Sequence, residues 1–428
     1  MNRLFIVSYQ FPPTRLVSSK RLGHFFMEAK SFFEDIYVLT SEKNAAFETD
    51  SLMDFPIENR EWISHRDFRS DLQQSSGSPS ALVRRLKQHS VGQKLLQLRK
   101  RWPLFYWFGD GGRDYIYKAV KRADAMIRKH QITHLFTSYG PYADLIIGYK
   151  LKKRHPHLTW ISDFRDIFEN KPSLDPQLRN PFWYMGRKVK IADLVTTVSE
   201  GLAQPLKLLH PRVSVLYNGI GKFSQHPEIG LRQAAFTISY TGTLYDRWQA
   251  LGVFFQLLSR SPSRFGHSGE GEHIQFRYFG PDAIECQSKA QDFNVDAFCT
   301  THASTSMTQA LLHQKESHIN LLLSWSHARQ KGVLNAKLFE YLGAQRPIFA
   351  IVTGPLDEEL RYWVETVGKG RCFFTEKHSL SEMSAGLNSL MESIRSGRWK
   401  APTKLPSEMF WAHQASSFWT RILKEEQL

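Results

Sequence analysis

A short segment, residues 332–347 (GVLNAKLFEYLGAQRP), carries side chains suited to binding an anion. Asn335 is a favourable N-cap residue, so the sequence predicts a helix over 336–344. The unpaired N–H groups and the positive dipole end of a helix N-terminus suit a phosphate. Lys337 lies in the first turn of this helix, and Glu340 lies one turn later on the same side. On this pattern, a phosphate site and a surface Lys337–Glu340 ion pair are both open.

A second group of residues that could do chemistry follows a predicted strand. Asp163, Arg165 and Asp166 belong to an Asp-Phe-Arg-Asp run. A carboxylate at the end of a strand can orient or deprotonate a hydroxyl group, but an ion pair between Arg165 and a neighbouring Asp explains the same residues. Lys20 and Arg21 begin a predicted helix, where they could contact a phosphate or be ordinary surface cations. The residues alone leave these alternatives open.

Both groups depend on the predicted strands that precede them. Short runs rich in β-branched and aromatic residues alternate with segments of helical spacing, a pattern typical of a parallel sheet covered on both faces. The strand-like runs are 4–8, 36–40, 134–138, 159–162, 194–199 and 213–217 and, after an interruption, 236–241, 274–279, 297–300, 319–323 and 347–352. The clearest helical segments are 18–33, 112–130 and 143–154.

The sequence therefore predicts an α/β protein with two Rossmann-like, doubly wound domains. We place the first domain at 1–217 and a linker or hinge at 218–233, where a turn signal and a polar stretch interrupt the alternation. The second domain follows at 234–404, and 405–428 forms a C-terminal helix that can return to the first domain. Aromatic residues recur along this last helix with helical spacing, which favours packing into a core.

Composition excludes several classes of protein. The chain has 428 residues and 42% hydrophobic side chains, too much apolar material for a disordered chain. Its 3 cysteines are widely spaced and predict neither a disulfide framework nor a zinc site, which suits a reducing compartment. The first apolar run is too short for a signal peptide, and no run approaches the roughly 18–20 residues that span a bilayer. The 17 histidines show no metal-ligand spacing.

Positive charge is concentrated in one part of the chain. Lys and Arg total 56 against 41 Asp and Glu, a formal charge of +15, and residues 84–130 hold 13 Lys and Arg against 3 Asp. Apolar residues among the cations, followed by aromatic residues, predict that 84–108 binds an anionic membrane surface. A solvated charged face is the alternative. No recognised nucleic-acid-binding module accompanies the charge, so we expect no nucleic-acid partner.

Several motifs resemble those of glycosyltransferase family 4 and its bacterial polysaccharide members. They are YQFPP at 9–13, DFRD at 163–166, ADLVTTVSE at 192–200, YNG at 217–219, YTGTL at 240–244 and KLFEYLGAQRPIFAI at 337–351. Each motif is weakly specific alone, but their order and spacing cover most of the chain outside 41–105 and the terminal helix. The resemblance implies a GT-B fold, in which two doubly wound domains face each other across a cleft.

The resemblance also implies a donor site in the second domain. The diphosphate of a nucleotide sugar would lie at the start of the helix that Asn335 caps. Gly242 and Thr243 would follow the first strand of that domain, close enough for a backbone or hydroxyl contact. Lys337 would neutralise charge on the departing nucleoside diphosphate in place of a metal. Glu340 would accept hydrogen bonds from two ribose hydroxyls.

Further roles follow from the same resemblance. Arg247 would assist Lys337 at the leaving group, and Asp166 would act on the acceptor hydroxyl. The expected acceptor-side residues are Lys20, Arg21, Asp163 and Arg165. Two departures from the family pattern stand out: Gly332 replaces a Glu eight residues before the ribose-binding one, and Thr243 replaces an Arg, with Trp248 in place of a nearby Lys. We expect activity despite these changes, with the donor sugar undefined.

The sequence thus predicts a retaining glycosyltransferase that needs neither a metal nor another cofactor. Its donor is a nucleotide sugar, UDP-linked, and its acceptor is lipid-linked or a polysaccharide in bacterial surface polysaccharide synthesis (capsule, O-antigen or exopolysaccharide). We expect it in the cytoplasm, on the inner face of the cytoplasmic membrane. Two alternatives remain: a sugar-nucleotide epimerase of the same fold, and a catalytically silent GT-B subunit that binds a membrane or a partner enzyme.

Overall fold

The computed structural model describes residues 2–14, 16–43, 55–65, 111–165, 181–221, 235–244, 248–260 and 274–425. The chain forms two compact units: Met1–Leu216 together with Ala415–Leu428, and Tyr217–Gln414. The first unit leaves the N-terminal part of the chain at Leu216, next to the domain boundary predicted at 217, and the domain bounds stay a prediction. The terminal segment, predicted as 405–428, is divided between the units after Gln414.

The described start of the predicted linker, residues 218–221, packs into the second unit. Ile220 belongs to the core of that unit, and its N–H group donates to the Met409 carbonyl at 2.6 Å. Asn218 is buried, and its Nδ2 donates to the Leu334 carbonyl at 3.5 Å. The rest of the predicted linker lies outside the described residues, so a hinge stays a prediction.

The first unit is built on a parallel sheet of seven described strands in the order β3-β2-β1-β4-β5-β6-β7. The strands are β1 (Arg3–Ser8), β2 (Asp35–Ser41), β3 (Asn59–Ile63), β4 (His134–Tyr139), β5 (Thr159–Phe164), β6 (Leu194–Thr197) and β7 (Val213–Val215). Burial of the central strands on both faces explains their continuous apolar sequences. The register places Ser138 opposite Asp163 and Asp163 opposite Thr196, so three polar residues meet near the carboxyl ends.

Helices cover this sheet. They are α1 (Val17–Ala29), α2 (Arg113–His130), α3 (Tyr142–Arg154), α4 (Pro181–Val189) and α5 (Glu200–Lys207). The residues that α2 buries recur with helical spacing, from Tyr115 to Ile127, as an amphipathic helix requires. Ser199 caps α5, because its side chain accepts a hydrogen bond from Leu202 N at 3.1 Å. The helices predicted at 112–130 and 143–154 are confirmed.

The second unit contains a parallel sheet of six described strands in the order β10-β9-β8-β11-β12-β13. The strands are β8 (Phe236–Thr241), β9 (Ile274–Phe279), β10 (Cys299–His302), β11 (Ile319–Trp325), β12 (Ile348–Thr353) and β13 (Arg371–Phe374). Its helices are α6 (Trp248–Ser259), α7 (Ala283–Asp292), α8 (Met307–Glu316), α9 (Ala336–Ala344), α10 (Glu358–Arg361) and α11 (Leu380–Arg395). The last helix, α12 (Trp411–Glu425), begins in the second unit and belongs to the first unit from Ala415 onward. The prediction of two Rossmann-like domains is confirmed.

The aromatic residues near the C-terminus pack into cores, as their spacing predicts. In the part of α12 that belongs to the first unit, Phe418 and Trp419 are buried. The Trp419 ring lies 5.1 Å from that of Phe33, and its Nε1 donates to the Phe25 carbonyl at 3.4 Å. The last turns of the chain therefore complete the core of the first domain.

The membrane predictions concern a different part of the chain. Among the described residues, no helix combines the length and the apolar character needed to cross a bilayer. The basic segment 84–108 lies outside the described residues.

Candidate functional site

The helix predicted over 336–344 is present as α9, and its local sequence explains both ends. Asn335 has an extended backbone, and its side chain accepts a hydrogen bond from Leu338 N at 3.0 Å. This bond satisfies one of the N–H groups that a helix start leaves unpaired. Gln345 ends the helix in a left-handed conformation. No acidic residue lies in the first turn, so the positive dipole end of α9 keeps its attraction for an anion.

Lys337 contacts the loop that follows β8. Its Nζ donates to the Tyr240 hydroxyl at 2.9 Å and to the Thr243 carbonyl at 3.1 Å, and it lies 4.6 Å from the centre of the Tyr240 ring. The Tyr240 hydroxyl in turn donates to the Thr243 carbonyl at 2.9 Å. Lys337 and Thr243, two of the predicted donor-site residues, are therefore in contact. A third predicted donor-site residue, Gly242, lies against the lysine stem.

Gly242 allows the lysine its position. Its φ is +101°, a conformation that favours glycine, and a Cβ there would lie 2.7 Å from Lys337 Cε and 3.1 Å from Nζ. Neighbouring hydrogen bonds fix this turn: Gly242 N donates to the Phe279 carbonyl at 2.6 Å, and the Tyr278 hydroxyl donates to the Gly242 carbonyl at 3.1 Å. The lysine stem therefore lies directly against a held backbone.

Glu340 is positioned by a different set of contacts. Its Oε2 accepts a hydrogen bond from Gln314 Nε2 at 3.3 Å, and the same nitrogen donates to Thr241 Oγ1 at 2.9 Å. The hydroxyl of Tyr341, the next residue on α9, accepts from Thr241 N at 3.3 Å. Both Lys337 and Glu340 are half-buried. Hydrogen bonds from or to residues of the neighbouring strand, loop and helix therefore help to position both charged groups.

Gly332 occupies the position where the family pattern has a Glu. Its N–H donates to Asp357 Oδ2 at 2.6 Å, and Asp357 is buried. The other oxygen of Asp357 caps α10 by accepting from Glu359 N at 3.1 Å and from Leu360 N at 3.2 Å. This carboxylate therefore holds the loop before α9 in place.

On the first unit, Asp163 and Arg21 differ from the expectation that they face an acceptor. Both side chains are buried, and Arg21 Nη2 donates to Asp163 Oδ1 at 2.9 Å. Asp163 also accepts from Ser138 Oγ at 3.0 Å and Thr196 Oγ1 at 2.8 Å. Arg21 Nη1 donates to the Leu216 carbonyl at 2.7 Å. The two residues neutralise each other inside the domain, which gives the pair a structural role, and their contact with an acceptor stays a prediction.

This pairing controls the protonation state of Asp163. Burial alone would raise the pKa of its carboxyl group, but the Arg21 guanidinium and the Thr196 hydroxyl hold that pKa below its usual value. The carboxylate is therefore ionised at neutral pH, as a buried partner of an arginine must be. The sequence indicated an ion pair in this region but assigned it to Arg165.

Arg165 lies at the carboxyl end of β5 and is half-buried. Its Nε donates to Ser138 Oγ at 3.0 Å, and its Nη2 donates to the Gly140 carbonyl and, at 3.5 Å, to Gln10 Oε1. Lys20 is half-buried on α1. These two remain predicted acceptor-side residues. Asp166 and Arg247 lie outside the described residues, so their predicted roles have no structural description.

Three residues near these sites were not found from the sequence. Gln314 and Tyr240 contact the charged pair of α9, but glutamine in a helix and tyrosine in a strand carry no distinctive signal. Asp144 is buried in the first turn of α3, where it accepts from Tyr9 N at 2.9 Å and from Ser8 Oγ at 3.2 Å. Burial raises the pKa of Asp144 to about 8. Its place at a helix N-terminus was the available signal.

The described residues also bear on metal binding. Within the ranges that the structure describes, no group of three or more His, Cys, Asp or Glu side chains could hold a metal ion. The expectation that transfer proceeds without a metal stays a prediction.

Solved structures share this architecture over nearly the whole chain. A sucrose-phosphate synthase from Thermosynechococcus elongatus has a TM-score of 0.58 at 11% identity, covering 100% of this chain and 98% of its own. A glycosyltransferase from Rickettsia africae has a TM-score of 0.56 at 10% identity, covering 99% and 97%. A UDP-GlcNAc 2-epimerase from Neisseria meningitidis, bound to UDP-GlcNAc, has a TM-score of 0.54 at 8% identity, covering 99% and 100%.

These similarities define the class of fold. The chain has the two-domain GT-B fold, which the glycosyltransferase and the epimerase structures share. At such low identities the similarity shows the fold alone. No protein-family model and no curated protein matches the sequence. Membership of glycosyltransferase family 4 therefore stays a prediction.

Proposed function

We propose that this protein is a glycosyltransferase. It transfers a sugar from a nucleotide donor, UDP-linked, to a lipid-linked or polysaccharide acceptor in bacterial surface polysaccharide synthesis, with retention of the anomeric configuration and without a metal. The observation that carries the proposal is the position of the Lys337 ammonium group, at the N-terminal turn of α9 and against the Gly242 turn.

The diphosphate binds at this helix end. The first N–H groups of α9 and the Lys337 ammonium group supply positive potential, and a diphosphate supplies the matching negative charge. Two of the acceptors of Lys337 are a neutral hydroxyl and a neutral carbonyl. A phosphate oxygen that replaces one of these acceptors gains charge–charge attraction, because hydrogen bonds between two charged groups are stronger than those to neutral groups.

Glu340 supplies the second part of donor recognition. A carboxylate can accept hydrogen bonds from the two neighbouring hydroxyls of a ribose. The helix places this carboxylate one turn beyond Lys337, so a ligand whose diphosphate lies at the helix start has its ribose on the same side. The Neisseria meningitidis epimerase, which shares this fold, is bound to UDP-GlcNAc, a ligand that has both a ribose and a diphosphate.

The residues then act on the departing group. The bond between the anomeric carbon and the diphosphate oxygen breaks, and its electron pair leaves with the nucleoside diphosphate. Lys337 stabilises the charge that grows on this oxygen. The acceptor hydroxyl oxygen forms the new bond to the anomeric carbon, and its proton passes to a base, for which Asp166 is the candidate. Arg247 assists Lys337.

The acceptor contacts the first domain in this proposal. Arg165 presents a cation at the carboxyl end of β5, where Ser138 and Gln10 accept from its guanidinium. Ligands of doubly wound sheets bind at this end of the strands. A phosphate-bearing, lipid-linked acceptor would complement Arg165 and Lys20. Segment 84–108 would hold the protein at the anionic membrane surface where such an acceptor lies.

Donor binding is tested with matched substitutions. Lys337→Met and Glu340→Ala are each expected to weaken UDP binding at least tenfold, about 1.4 kcal/mol, in calorimetry. Lys377 and Glu376 are exposed residues of the same two types. Lys377→Met and Glu376→Ala serve as controls and are expected to keep the wild-type affinity for UDP. Unchanged UDP affinity in Glu340→Ala, with the fold intact, would remove this site assignment.

A second experiment separates transferase from epimerase and from a silent subunit. The protein is incubated with UDP-linked sugars, and the products are separated by chromatography. Slow release of free sugar and UDP is the signature expected of a transferase without its acceptor. Conversion of the nucleotide sugar into its epimer would identify the alternative that the epimerase structures favour. If the protein binds neither UDP nor any of the UDP-linked sugars, the result would instead support a silent subunit.

Membrane attachment is tested separately. Sedimentation with vesicles that contain anionic lipid is expected, and it should weaken as salt is added because surface charge is screened. Vesicles of neutral lipid are the control. Binding that ignores salt, or that is absent, would contradict the role of 84–108.

A further inference from the structure

Gln314, on α8, lies at the centre of the contacts around Glu340. Its side chain is fully buried, and its Nε2 donates both to Thr241 Oγ1 at 2.9 Å and to Glu340 Oε2 at 3.3 Å. Its backbone carbonyl accepts from Asn320 Nδ2 at 3.1 Å. One buried amide therefore joins the end of β8 to the carboxylate on α9.

We propose that Gln314 is a positioning residue that sets the orientation of the Glu340 carboxylate for ribose binding. This inference rests on the proposed function, in which Glu340 binds the donor ribose. Gln314 does not contact the ligand in this account. It acts through the carboxylate that does.

The chemistry of the amide explains why its orientation is fixed. An amide nitrogen has two hydrogens, and here two oxygens accept from it. Turning the amide over would place the Gln314 carbonyl oxygen against a carboxylate oxygen, which is repulsive. The hydrogen-bond pattern therefore assigns nitrogen to the side that faces Glu340.

The amide also limits the movement of the Glu340 side chain. A carboxylate accepts from two neighbouring hydroxyls only when its oxygens face them. A glutamate side chain has three rotatable bonds, so a fixed donor reduces the number of orientations available before ligand binds. The loss of this donor should therefore be felt in ribose recognition more than in diphosphate recognition.

A purely structural role makes a different prediction. Gln314 also joins α8 to β8 through Thr241, and loosening that contact would disturb the whole site. Binding of UDP and of 2′,3′-dideoxy-UDP, which lacks the ribose hydroxyls, would then weaken equally. The positioning role predicts a loss confined to the ligand that carries the hydroxyls.

The test compares these two ligands by calorimetry in Gln314→Met, with Gln309→Met, an exposed position on the same helix, as the matched control. We expect Gln314→Met to weaken UDP binding about fivefold or more and dideoxy-UDP binding less than about twofold. In the Glu340→Ala background, Gln314→Met should cause no further loss of UDP affinity, since its effect passes through Glu340.

A second variant tests the same positioning role if Gln314→Met fails to fold. In Gln314→Asn the side chain is one methylene shorter, so its amide is withdrawn from Glu340 while the residue stays polar. The preference for UDP over dideoxy-UDP should therefore fall in Gln314→Asn and stay at the wild-type level in Gln309→Asn.

The outcomes separate the inference from the proposed function. If Glu340→Ala binds UDP like the wild type, the ribose site itself is wrong. If Glu340→Ala loses affinity while Gln314→Met keeps it, or weakens both ligands equally, only the role of Gln314 is overturned. A folded Gln314→Asn protein with the wild-type preference for UDP over dideoxy-UDP would also overturn it.

Discussion

Replacing Gly242 by alanine should separate the position of the Lys337 ammonium group from the stability of the domain. Gly242 has a φ of +101°, and an added Cβ would lie 2.7 Å from Lys337 Cε and 3.1 Å from Nζ. Real Cβ atoms do not approach a carbon at 2.7 Å, so the lysine must move. Since its stem is flexible, the ammonium group leaves Thr243 and the Tyr240 ring rather than the backbone yielding.

Two free-energy terms follow from this geometry. A non-glycine residue in a sparsely populated backbone conformation costs about 1–3 kcal/mol, and this cost lowers the free energy of unfolding. Loss of a hydrogen bond between charged groups in the liganded state costs about 1.5–3 kcal/mol. At about 1.4 kcal/mol per factor of ten, the second term corresponds to roughly a 10- to 100-fold weaker affinity for UDP.

The control is Gly397→Ala in the same domain. Gly397 has a φ of +66°, but a Cβ there meets nothing within 4 Å. It should therefore show the backbone cost in thermal unfolding and bind UDP like the wild type. Gly242→Ala should combine a similar loss of stability with the large loss of affinity, measured by calorimetry.

The effect of Gly242→Ala on UDP affinity should depend on the presence of Lys337. In a Lys337→Met background, Gly242→Ala should reduce UDP affinity no further, because the group that it displaces is already absent. A folded Gly242→Ala protein that binds UDP as tightly as the wild type would refute the assignment of the diphosphate to this turn. Equal losses with and without Lys337 would refute the mechanism.

Other predictions follow from the buried groups. Arg21→Met leaves the Asp163 carboxylate buried without its partner, so urea unfolding should show a loss of about 3–5 kcal/mol, and adding Asp163→Leu should restore most of it. Burial raises the folded-state pKa of Asp144 to about 8, so wild-type stability should fall as pH rises from about 4 to 8. Asp144→Asn should flatten that slope, and parallel pH profiles would contradict it. All three cysteines are buried, and burial raises the pKa of the Cys286 thiol to about 12, so thiol reagents at pH 8 should label the protein only after denaturation.

The central strands could be predicted because their burial is recorded in the sequence. Parallel strands covered on both faces need continuous apolar runs, and the run at 236–241 matches β8 residue for residue. The bounds of helix α9 could also be predicted from the sequence, since Asn335 caps its start and Gln345 ends it. Strand β3 was missed because Asn59–Ile63 is a polar edge strand, and β13 because four residues carry too little periodicity.

Contacts between residues that are far apart in the sequence could not be predicted in the same way. Arg21 and Asp163 are 142 positions apart, and only the parallel register of the first sheet brings the carboxylate beneath α1. The sequence identified both as chemical groups but could not say that each is the other's partner. Gln314 shows the reverse case, because nothing in its helix distinguishes an amide that faces a carboxylate from one that faces water.

The two cation–carboxylate sites differ in the hydrogen bonds that hold their charged groups. Arg21 and Asp163 are buried against each other, so a nearby anion gains little from a pair whose charges already cancel. Lys337 donates to a neutral hydroxyl and a neutral carbonyl, and Glu340 accepts from a neutral amide. Exchanging these partners for a phosphate and for ribose hydroxyls keeps the number of hydrogen bonds and adds charge–charge attraction at the lysine. The same residue types therefore stabilise the fold in the first domain, and in the proposed function they bind the donor in the second.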